Sequence, residues 1–181
     1  FAGCPALTSV VVKTNTGLGT DIFANCTSLT KADISALTEV PVRMFDGCTM
    51  LSDVIVNPNY TAISSAAFRG CKALKSFDFV STLTSLQTSA FECSGLQKVD
   101  MTACQNLFAI GKYAFANCND LTEAMFADNI VNILDGALFN CDKLTKIQLP
   151  AGISGISAAM LSNTRIAGKL ELPKMLMSIG D

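Results

Sequence analysis

The sequence predicts an α/β solenoid, in which short strands and turns are wound into successive coils that stack along one axis. A short box, Ala114-Phe115-Ala116-Asn117-Cys118, recurs throughout the chain at a nearly constant interval. Each box is followed by a stretch in which apolar and polar residues alternate, which is typical of a strand with one buried face. A second apolar pair and a short turn-forming segment then precede the next box. These three features repeat in phase and predict the fold class.

The repeat unit is 22–24 residues long and occurs about eight times. Its Phe slot is occupied by Phe1, Phe23, Phe45, Phe68, Phe91, Phe115, Leu138 and Leu161. We assign residues 1–181 to a single solenoid domain. Because both ends fall within a repeat unit and neither shows the polar cap that usually closes a solenoid, we expect the chain to be a piece of a longer array.

One strand is predicted in each unit, beginning five or six residues after the Phe slot. The first apolar residues of these strands are Leu7, Leu29, Leu51, Leu74, Leu96, Leu121, Leu144 and Ile166. The strands hold the same register in every unit, so they are expected to pair in parallel. A strand spacing of ~4.8 Å then gives one eight-stranded sheet about 34 Å long.

The return path on the opposite side is predicted to hold short helical or 3₁₀ turns. Apolar pairs spaced by three, such as Leu37 and Val40, mark this crossing, and segments such as 64–67 follow them. These segments are too short for an α-helix of average length. Gly or Asn usually precedes the Cys slot, which predicts a left-handed residue there. Glu92 is the exception, because one residue is lost between Phe91 and Cys93, and we expect irregular backbone over residues 91–96.

Most of the eight cysteines fall in one slot of the repeat. The slot holds Cys4, Cys26, Cys48, Cys71, Cys93, Cys118 and Cys141, whereas Cys104 lies outside it. A disulfide framework and a metal site are the alternatives to a packing role. Equivalent side chains of a solenoid stack in parallel, whereas a disulfide needs a crossed geometry. We therefore favour a ladder of buried free thiols, and we expect Cys104 to be inert as well.

Composition excludes several classes of function. Thirteen basic and fifteen acidic residues leave a net charge of −2 without a basic stripe, which argues against a nucleic-acid partner. No apolar run reaches the ~20 residues of a membrane span, so no transmembrane segment is predicted. The chain has no His, which removes the commonest general base and metal ligand. We expect neither an enzyme nor a cofactor or metal site.

The pattern Leu-x-x-Ile-x-Leu-Pro-x-x-Ile-x-x-Ile over residues 144–156, with Ala-Phe-x-Asn-Cys boxes in phase, resembles the BspA-like leucine-rich repeat family. The resemblance covers essentially the whole chain. It implies a right-handed solenoid with its parallel sheet on the concave face, and an extracellular or cell-surface location. It also implies adhesion to host or matrix proteins, so the expected partner is an extracellular or cell-surface protein.

The outward side of the predicted sheet is the expected binding face. Its candidate residues are Asp33, Ile55, Asp78, Asp100, Met125, Gln148 and Glu171 in the central column and Lys31, Lys98 and Lys146 beside it. Asp78 and Asp100 would lie on adjacent strands, where like charges repel and could attract a basic partner or a cation. Screening by solvent and by Lys98 is the simpler interpretation. The alternative function is a structural spacer with no ligand of its own, and the oligomeric state is left open.

Overall fold

The computed structural model describes residues 1–180 and folds them into a parallel β-solenoid of about seven complete coils. We number the coils 1 to 8 by their Phe slots, from Phe1 to Leu161. The described residues form thirteen strands and no helix, so the α/β class is wrong and the solenoid is confirmed. Asp181, the last residue of the predicted domain, lies outside the described residues.

The longer strands form one side of the solenoid, which we call the long-strand face. They are β1 (Ser9–Val11), β2 (Lys31–Ile34), β4 (Asp53–Val56), β7 (Lys98–Met101), β9 (Glu123–Phe126) and β11 (Lys146–Gln148). They pair in parallel as two three-stranded sheets, ordered β1-β2-β4 and β7-β9-β11. The predicted single eight-stranded sheet is therefore wrong, because coils 4 and 8 contribute no strand to this face.

Two-residue strands form a second side, which we call the short-strand face. They are β3 (Glu39–Val40), β5 (Ala62–Ile63), β6 (Ser85–Leu86), β8 (Ala109–Ile110), β10 (Asn132–Ile133), β12 (Gly155–Ile156) and β13 (Ser178–Ile179). The first five form one parallel sheet, and β12 pairs with β13. In the first five of these strands the second apolar residue of the pair, such as Val40 or Ile133, is buried in the core, whereas Ile156 is partly buried and Ile179 is exposed. The return segment, which was predicted to hold only turns, therefore contributes a second parallel sheet.

The Phe boxes form the third side as a ladder of tight turns. The amides of Arg43, Phe45 and Gly47 donate to carbonyls 22 residues further along the chain, at 3.0, 2.9 and 2.8 Å, those of Ser65, Ala67 and Arg69. Alternate backbone amides thus donate hydrogen bonds to the neighbouring coil, whereas an α-helix would require them to donate within their own coil. Arg43 and Gly47 also have φ of 54° and 76°, which interrupts a right-handed helix. The predicted helical turns are therefore wrong.

The predicted left-handed residues before the Cys slot are confirmed. Positive φ is found at Gly3, Asn25, Gly47, Gly70, Asn117, Asn140 and Asn163. Gly and Asn tolerate this conformation better than other residues. Each such residue reverses the chain after the Phe slot and directs it toward the long-strand face.

A stack of phenylalanine rings runs through the core beside the turn ladder. Successive rings from Phe1 to Phe115 have centroids 5.1–5.8 Å apart and interplanar angles of 10–20°. Leu138 extends this column in coil 7 and is fully buried. Each ring therefore bridges two coils, which holds the solenoid together along its axis.

The cysteine ladder is confirmed as a set of free thiols that are buried except at Cys4, with one change of membership. All eight cysteines lie within the described residues and are free. Cys48 donates its S–H to the Phe23 carbonyl at 3.0 Å, and Cys118 donates to that of Phe91 at 3.1 Å. Burial raises the pKa of both thiols to about 12. Among the described residues no group of three potential ligands gathers closely enough to hold a metal ion.

Cys93 is the cysteine that was wrongly placed in the ladder. It takes the left-handed position instead, with φ of 57°, and is only partly buried. Ser94 occupies the thiol slot of coil 5, is buried, and lies 3.2 Å from the Cys118 sulfur. Cys104, which lies outside the ladder, is buried and its pKa is raised to about 11 by burial.

Native-state thiol titration is expected to detect two reactive cysteines out of eight. Cys4 and Cys93 are partly exposed, whereas the other six are buried. Burial and the neighbouring Glu92 raise the pKa of Cys93, so its reaction with Ellman's reagent should accelerate between pH 7 and pH 9. All eight should react after denaturation. Fewer than eight thiols in the denatured protein would reveal disulfides and contradict the ladder.

Candidate functional site

The long-strand face is interrupted in coil 4, where residues 75–79 form no strand. Phe77 and Phe79 occupy inward positions that hold Val54 and Val56 in coil 3. Their rings lie 5.0 and 5.6 Å from that of Phe91, and they take more space than valine side chains. The larger core of coil 4 therefore displaces its backbone from the pairing distance of its neighbours.

Tyr60 compensates for part of the lost pairing. This buried residue donates its hydroxyl to the Asp78 carbonyl at 2.7 Å, inside the interrupted segment. Burial raises the pKa of the Tyr60 hydroxyl, so it stays a donor at physiological pH. The carbonyl that has no strand partner is thus satisfied by a side chain from coil 3.

Coil 5 is irregular next to the same place, as its length predicted. Phe91 keeps its place in the ring stack and Cys93 keeps the left-handed turn, so the missing residue falls between Ser94 and Leu96. The Gly95 amide donates to the Cys71 carbonyl at 3.1 Å. A Cβ at this glycine would lie 2.0 Å from the Lys72 carbonyl oxygen. The irregularity predicted over residues 91–96 is found only in its second half, and the predicted loss of a residue between Phe91 and Cys93 is wrong.

A groove of about 630 Å³ opens on the long-strand face where these two irregular coils meet. It extends from coil 4 to coil 7. Its polar and apolar side chains include Lys75, Phe77, Lys98, Asp100, Asp120 and Lys143. It is larger than the recess of about 140 Å³ between β9 and β11, so we take it as the candidate functional site and call it the long-face groove.

A three-residue charge bridge forms one wall of the groove. The Asp120 carboxylate accepts hydrogen bonds from the Lys75 and Lys143 ammonium groups at 2.8 and 2.9 Å. Lys75 reaches Asp120 across the shortened coil 5, so the bridge links coils 4, 6 and 7. The two lysines lower the pKa of the Asp120 carboxyl from 3.8 to about 2. On the opposite side, Lys98 pairs with Glu123 at 3.2 Å.

Acid titration is expected to expose the contribution of Asp120 to stability. Its folded pKa is about 2 against an ordinary 3.8, so its contribution is complete above about pH 4 and is lost as the pH falls to 2. Urea unfolding of wild type and Asp120→Asn should therefore differ at pH 6 and converge near pH 2. Asp142→Asn is the control, because Asp142 makes no salt bridge among the described residues. A difference that is independent of pH would contradict the bridge.

The predicted binding residues are divided between the two long-strand sheets. Lys98 and Asp100 line the groove, and β9 and β11 place Met125, Gln148 and Lys146 beside it. Asp33, Ile55 and Lys31 lie on the first sheet, away from the groove. The structure therefore brings together only about half of the predicted set.

Two of the predicted acidic residues also stabilise the backbone. Asp33 accepts hydrogen bonds from the amide and hydroxyl of Ser35, and Asp100 does the same with Thr102. The hydroxyl bond is 2.7 Å in both cases and lowers the pKa of each carboxyl. These aspartates close the turn that ends the strand, which is a structural role.

Two of the predicted residues, Asp78 and Glu171, lie outside any strand. Asp78 is exposed in the interrupted segment, so its predicted pairing with Asp100 on adjacent strands is wrong. Glu171 pairs with Lys169 at 2.7 Å in coil 8. Lys31 pairs with Asp53 across β2 and β4 at 2.7 Å. These contacts satisfy the charges within the chain.

Sequence reasoning missed most of the residues that line the groove, four of which are charged or aromatic. Lys75, Asp120 and Lys143 lie outside the two columns that the strand register defines, and Phe77 occupies an inward position between them. The signal that could have located them is the residue lost in coil 5, since a shortened coil leaves a recess between its neighbours.

The fold and the groove define a class of protein, a parallel β-solenoid with a recess on its long-strand face. The chain belongs to the BspA type leucine-rich repeat family, whose model matches it in six copies over residues 1–122 and 73–181. The resemblance inferred from the repeat is thereby confirmed. No curated protein matches the chain by sequence. Among the described residues no helix is long and apolar enough to cross a membrane.

Solved structures of bacterial leucine-rich repeat proteins have a similar fold. A protein from Bacteroides ovatus ATCC 8483 is 19% identical over 96% of this chain and 53% of that chain, with a TM-score of 0.69. The T. pallidum leucine-rich repeat protein is 20% identical over 96% of this chain and 69% of that chain, with a TM-score of 0.58. At these identities the likeness shows the fold alone. The chain spans about half the length of the B. ovatus protein.

Proposed function

We propose that this chain is a non-catalytic protein-binding module of a secreted or cell-surface protein, and that it contacts its partner through the long-face groove. The observation that carries this proposal is the place of the irregularity. Among the inner coils 2–7, the repeats stack in register except in coils 4 and 5, and this departure opens the recess on the face where binding was predicted. Departures from local regularity are expected at functional sites.

The composition of the groove favours a protein partner with an apolar side chain and charges of both signs. Phe77 provides a partly buried aromatic surface, while Lys75, Lys98, Asp100, Asp120 and Lys143 place both charges at its rim. The rim lysines are held by Asp120 and Glu123, so they lose little conformational entropy when a partner binds. Adhesion to a host or matrix protein is the form of binding that the family resemblance suggests.

The alternative is a spacer that holds other domains apart and has no ligand. One observation favours it, namely that Asp33 and Asp100 are engaged in turns and Lys31 is paired with Asp53. In a spacer, the charged side chains of the long-strand face would serve only to stabilise the coils. A spacer, however, gains nothing from the break in coil 4, which removes strand pairing.

The test is binding of the purified chain to immobilised extracellular-matrix and cell-surface proteins. The groove variant is Ser76→Lys with Gln97→Lys, two exposed residues that line the groove, and it leaves the charge bridge and the turn-closing aspartates intact. The control variant is Asn59→Lys with Ser81→Lys, which makes the same net charge change at the corner between the two sheet faces.

Specific binding that falls at least tenfold in the groove variant and persists in the control variant would support the proposal. Binding that both variants retain would place the contact elsewhere on the molecule. Absence of binding at micromolar concentration across the panel would favour the spacer.

A further inference from the structure

The exposed apolar side chains of the inner coils are not scattered. Among the described residues of coils 2–7, six large apolar side chains are substantially exposed, and four of them lie in coils 5 and 6. These four are Phe108 (60% exposed), Tyr113 (44%), Val131 (41%) and Leu134 (37%). The other two, Met50 and Ile55, belong to coil 3. Clustering of this kind marks an interaction surface, whereas single exposed residues do not.

Phe108, Val131 and Leu134 lie on the short-strand face, and Tyr113 lies beside them in the turn ladder, where its amide donates to the Asp135 carbonyl at 3.1 Å. The Val131 amide donates to the Phe108 carbonyl at 3.1 Å, which places these two side chains in register on adjacent coils. The Tyr113 ring lies against Gly136, where a Cβ would come within 2.3 Å of its Cε1 atom. Phe108 and Leu134 both line a groove of about 430 Å³. We call the four side chains and this groove the short-face patch.

Gly111 opens the groove because it has no side chain at a position that Gln87 and Leu134 occupy in the neighbouring coils. A Cβ at Gly111 would lie 2.4 Å from the Gln87 carbonyl carbon, so the two coils touch here through backbone alone. Gln87 forms the far wall and is fixed by two hydrogen bonds from Ser65 to its Oε1, both of 3.1 Å. The patch therefore carries a projecting aromatic ring and a fixed recess side by side.

The groove contains no ionisable side chain. Hydroxyl, amide, apolar and glycine residues line it, although the chain as a whole has thirteen basic and fifteen acidic residues. The nearest ion pair, Lys112 with Asp135 at 2.9 Å, lies at the edge of the patch and is internally neutral. Such a surface fits an uncharged partner surface, and it meets a second copy of itself without repulsion between like charges.

We propose that two copies of this chain pair through their short-face patches about a two-fold axis, each Phe108 ring entering the groove over Gly111 of the other copy. A two-fold interface requires one patch to contain both a residue and the site that receives it. The ring and the recess beside it meet this requirement. The charge-free lining favours a second copy over a basic or acidic partner.

The pairing leaves both long-strand faces uncovered, because they lie on a different side of the coils. The dimer would then present two long-face grooves, which increases avidity for an immobilised partner without any new contact. The proposal does not depend on the binding function, since a spacer could also pair in this way.

Sedimentation equilibrium of the purified chain from 1 to 100 μM tests the proposal. Wild type is expected to approach twice the chain mass of 19.1 kDa. Phe108→Asp should weaken the dimer by about 30-fold or more, as expected for a central aromatic anchor. Thr88→Trp fills the groove from its exposed wall while keeping Phe108, and should also yield monomer. Ile55→Asp, a similarly exposed apolar residue on the other face, should leave the dimer intact.

Circular dichroism and thermal melting establish that each variant folds. If Phe108→Asp does not fold, the mass of Thr88→Trp tests the dimer by itself. A wild-type chain that stays monomeric at 100 μM would overturn the proposal. So would a dimer that persists in folded Phe108→Asp and Thr88→Trp. Masses that rise beyond two chains and are insensitive to both variants would indicate association through the apolar residues of coil 8, such as Met177, and would also overturn it.

Discussion

Phe91→Ala is expected to lower the free energy of unfolding by about 3–5 kcal/mol, the usual cost of deleting a fully buried phenylalanine ring. Phe91 is completely buried, and its ring has centroid distances of 5.1 Å to Phe68, 5.0 Å to Phe77 and 5.7 Å to Phe115. It is the ring of the axial stack that contacts both additional rings of coil 4, those of Phe77 and Phe79. The cavity would lie between two coils and weaken the contact between the two halves of the solenoid.

Two substitutions separate this effect from a general loss of hydrophobicity. Phe91→Leu should cost less than about 1.5 kcal/mol, because a hydrophobic side chain of similar volume is kept and Leu138 fills the same slot naturally. Phe1→Ala should be nearly silent, because Phe1 is the exposed end of the stack. Chemical unfolding followed by circular dichroism measures all three. Equal destabilisation by Phe91→Ala and Phe1→Ala would contradict an axial core.

Much of the fold could be predicted from the sequence because a solenoid repeats its burial pattern. The Phe slot, the Cys slot and the alternating strand positions all fall in the core, since each is apolar in unit after unit. Their spacing gives the number of coils and the parallel register. Gly and Asn before the Cys slot predicted the left-handed turn for a local steric reason, which is independent of the rest of the fold.

The short-strand face and the turn ladder could not be predicted, because both depend on hydrogen bonds between coils. Two residues such as Ala109 and Ile110 are too few to show an alternating pattern, and only the neighbouring coil makes them a strand. The turn segments resemble helical turns in length alone. Their amides are used by the next coil, as Phe115 to Ala137 at 2.9 Å shows, and this is a tertiary effect.

The long-face groove could be predicted only in part. The lost residue near Cys93 marked the place of the irregularity in the sequence, but not its outcome. Which side chains line the recess depends on how far coil 4 is displaced by Phe77 and Phe79. Lys75 reaches Asp120 only because coil 5 is short, and no local pattern connects residues 45 positions apart.

Gly95→Ala is expected to cost about 2–4 kcal/mol and to alter the groove. The added Cβ would lie 2.0 Å from the Lys72 carbonyl oxygen and 2.8 Å from its carbonyl carbon, so backbone must move. Overpacking typically costs about 1–3 kcal/mol, and loss of the 3.1 Å bond from Gly95 to Cys71 adds about 1 kcal/mol. Movement of coil 5 would also separate Lys75 from Asp120, so the pH dependence between pH 4 and 2 should weaken.

Gly19→Ala is the matched control for this substitution. Gly19 has no atom within 4 Å of its added Cβ and does not have a left-handed φ, so the change should be neutral or stabilise by up to about 1 kcal/mol. Urea unfolding at pH 6 and pH 2.5 measures both variants. If Gly95→Ala is as stable as wild type, coils 4 and 5 are not in backbone contact there, and the groove does not arise from the shortened coil. A loss of stability confined to Gly95→Ala instead makes the missing residue the cause of the recess, because the glycine is what allows a shorter coil to close against its neighbour.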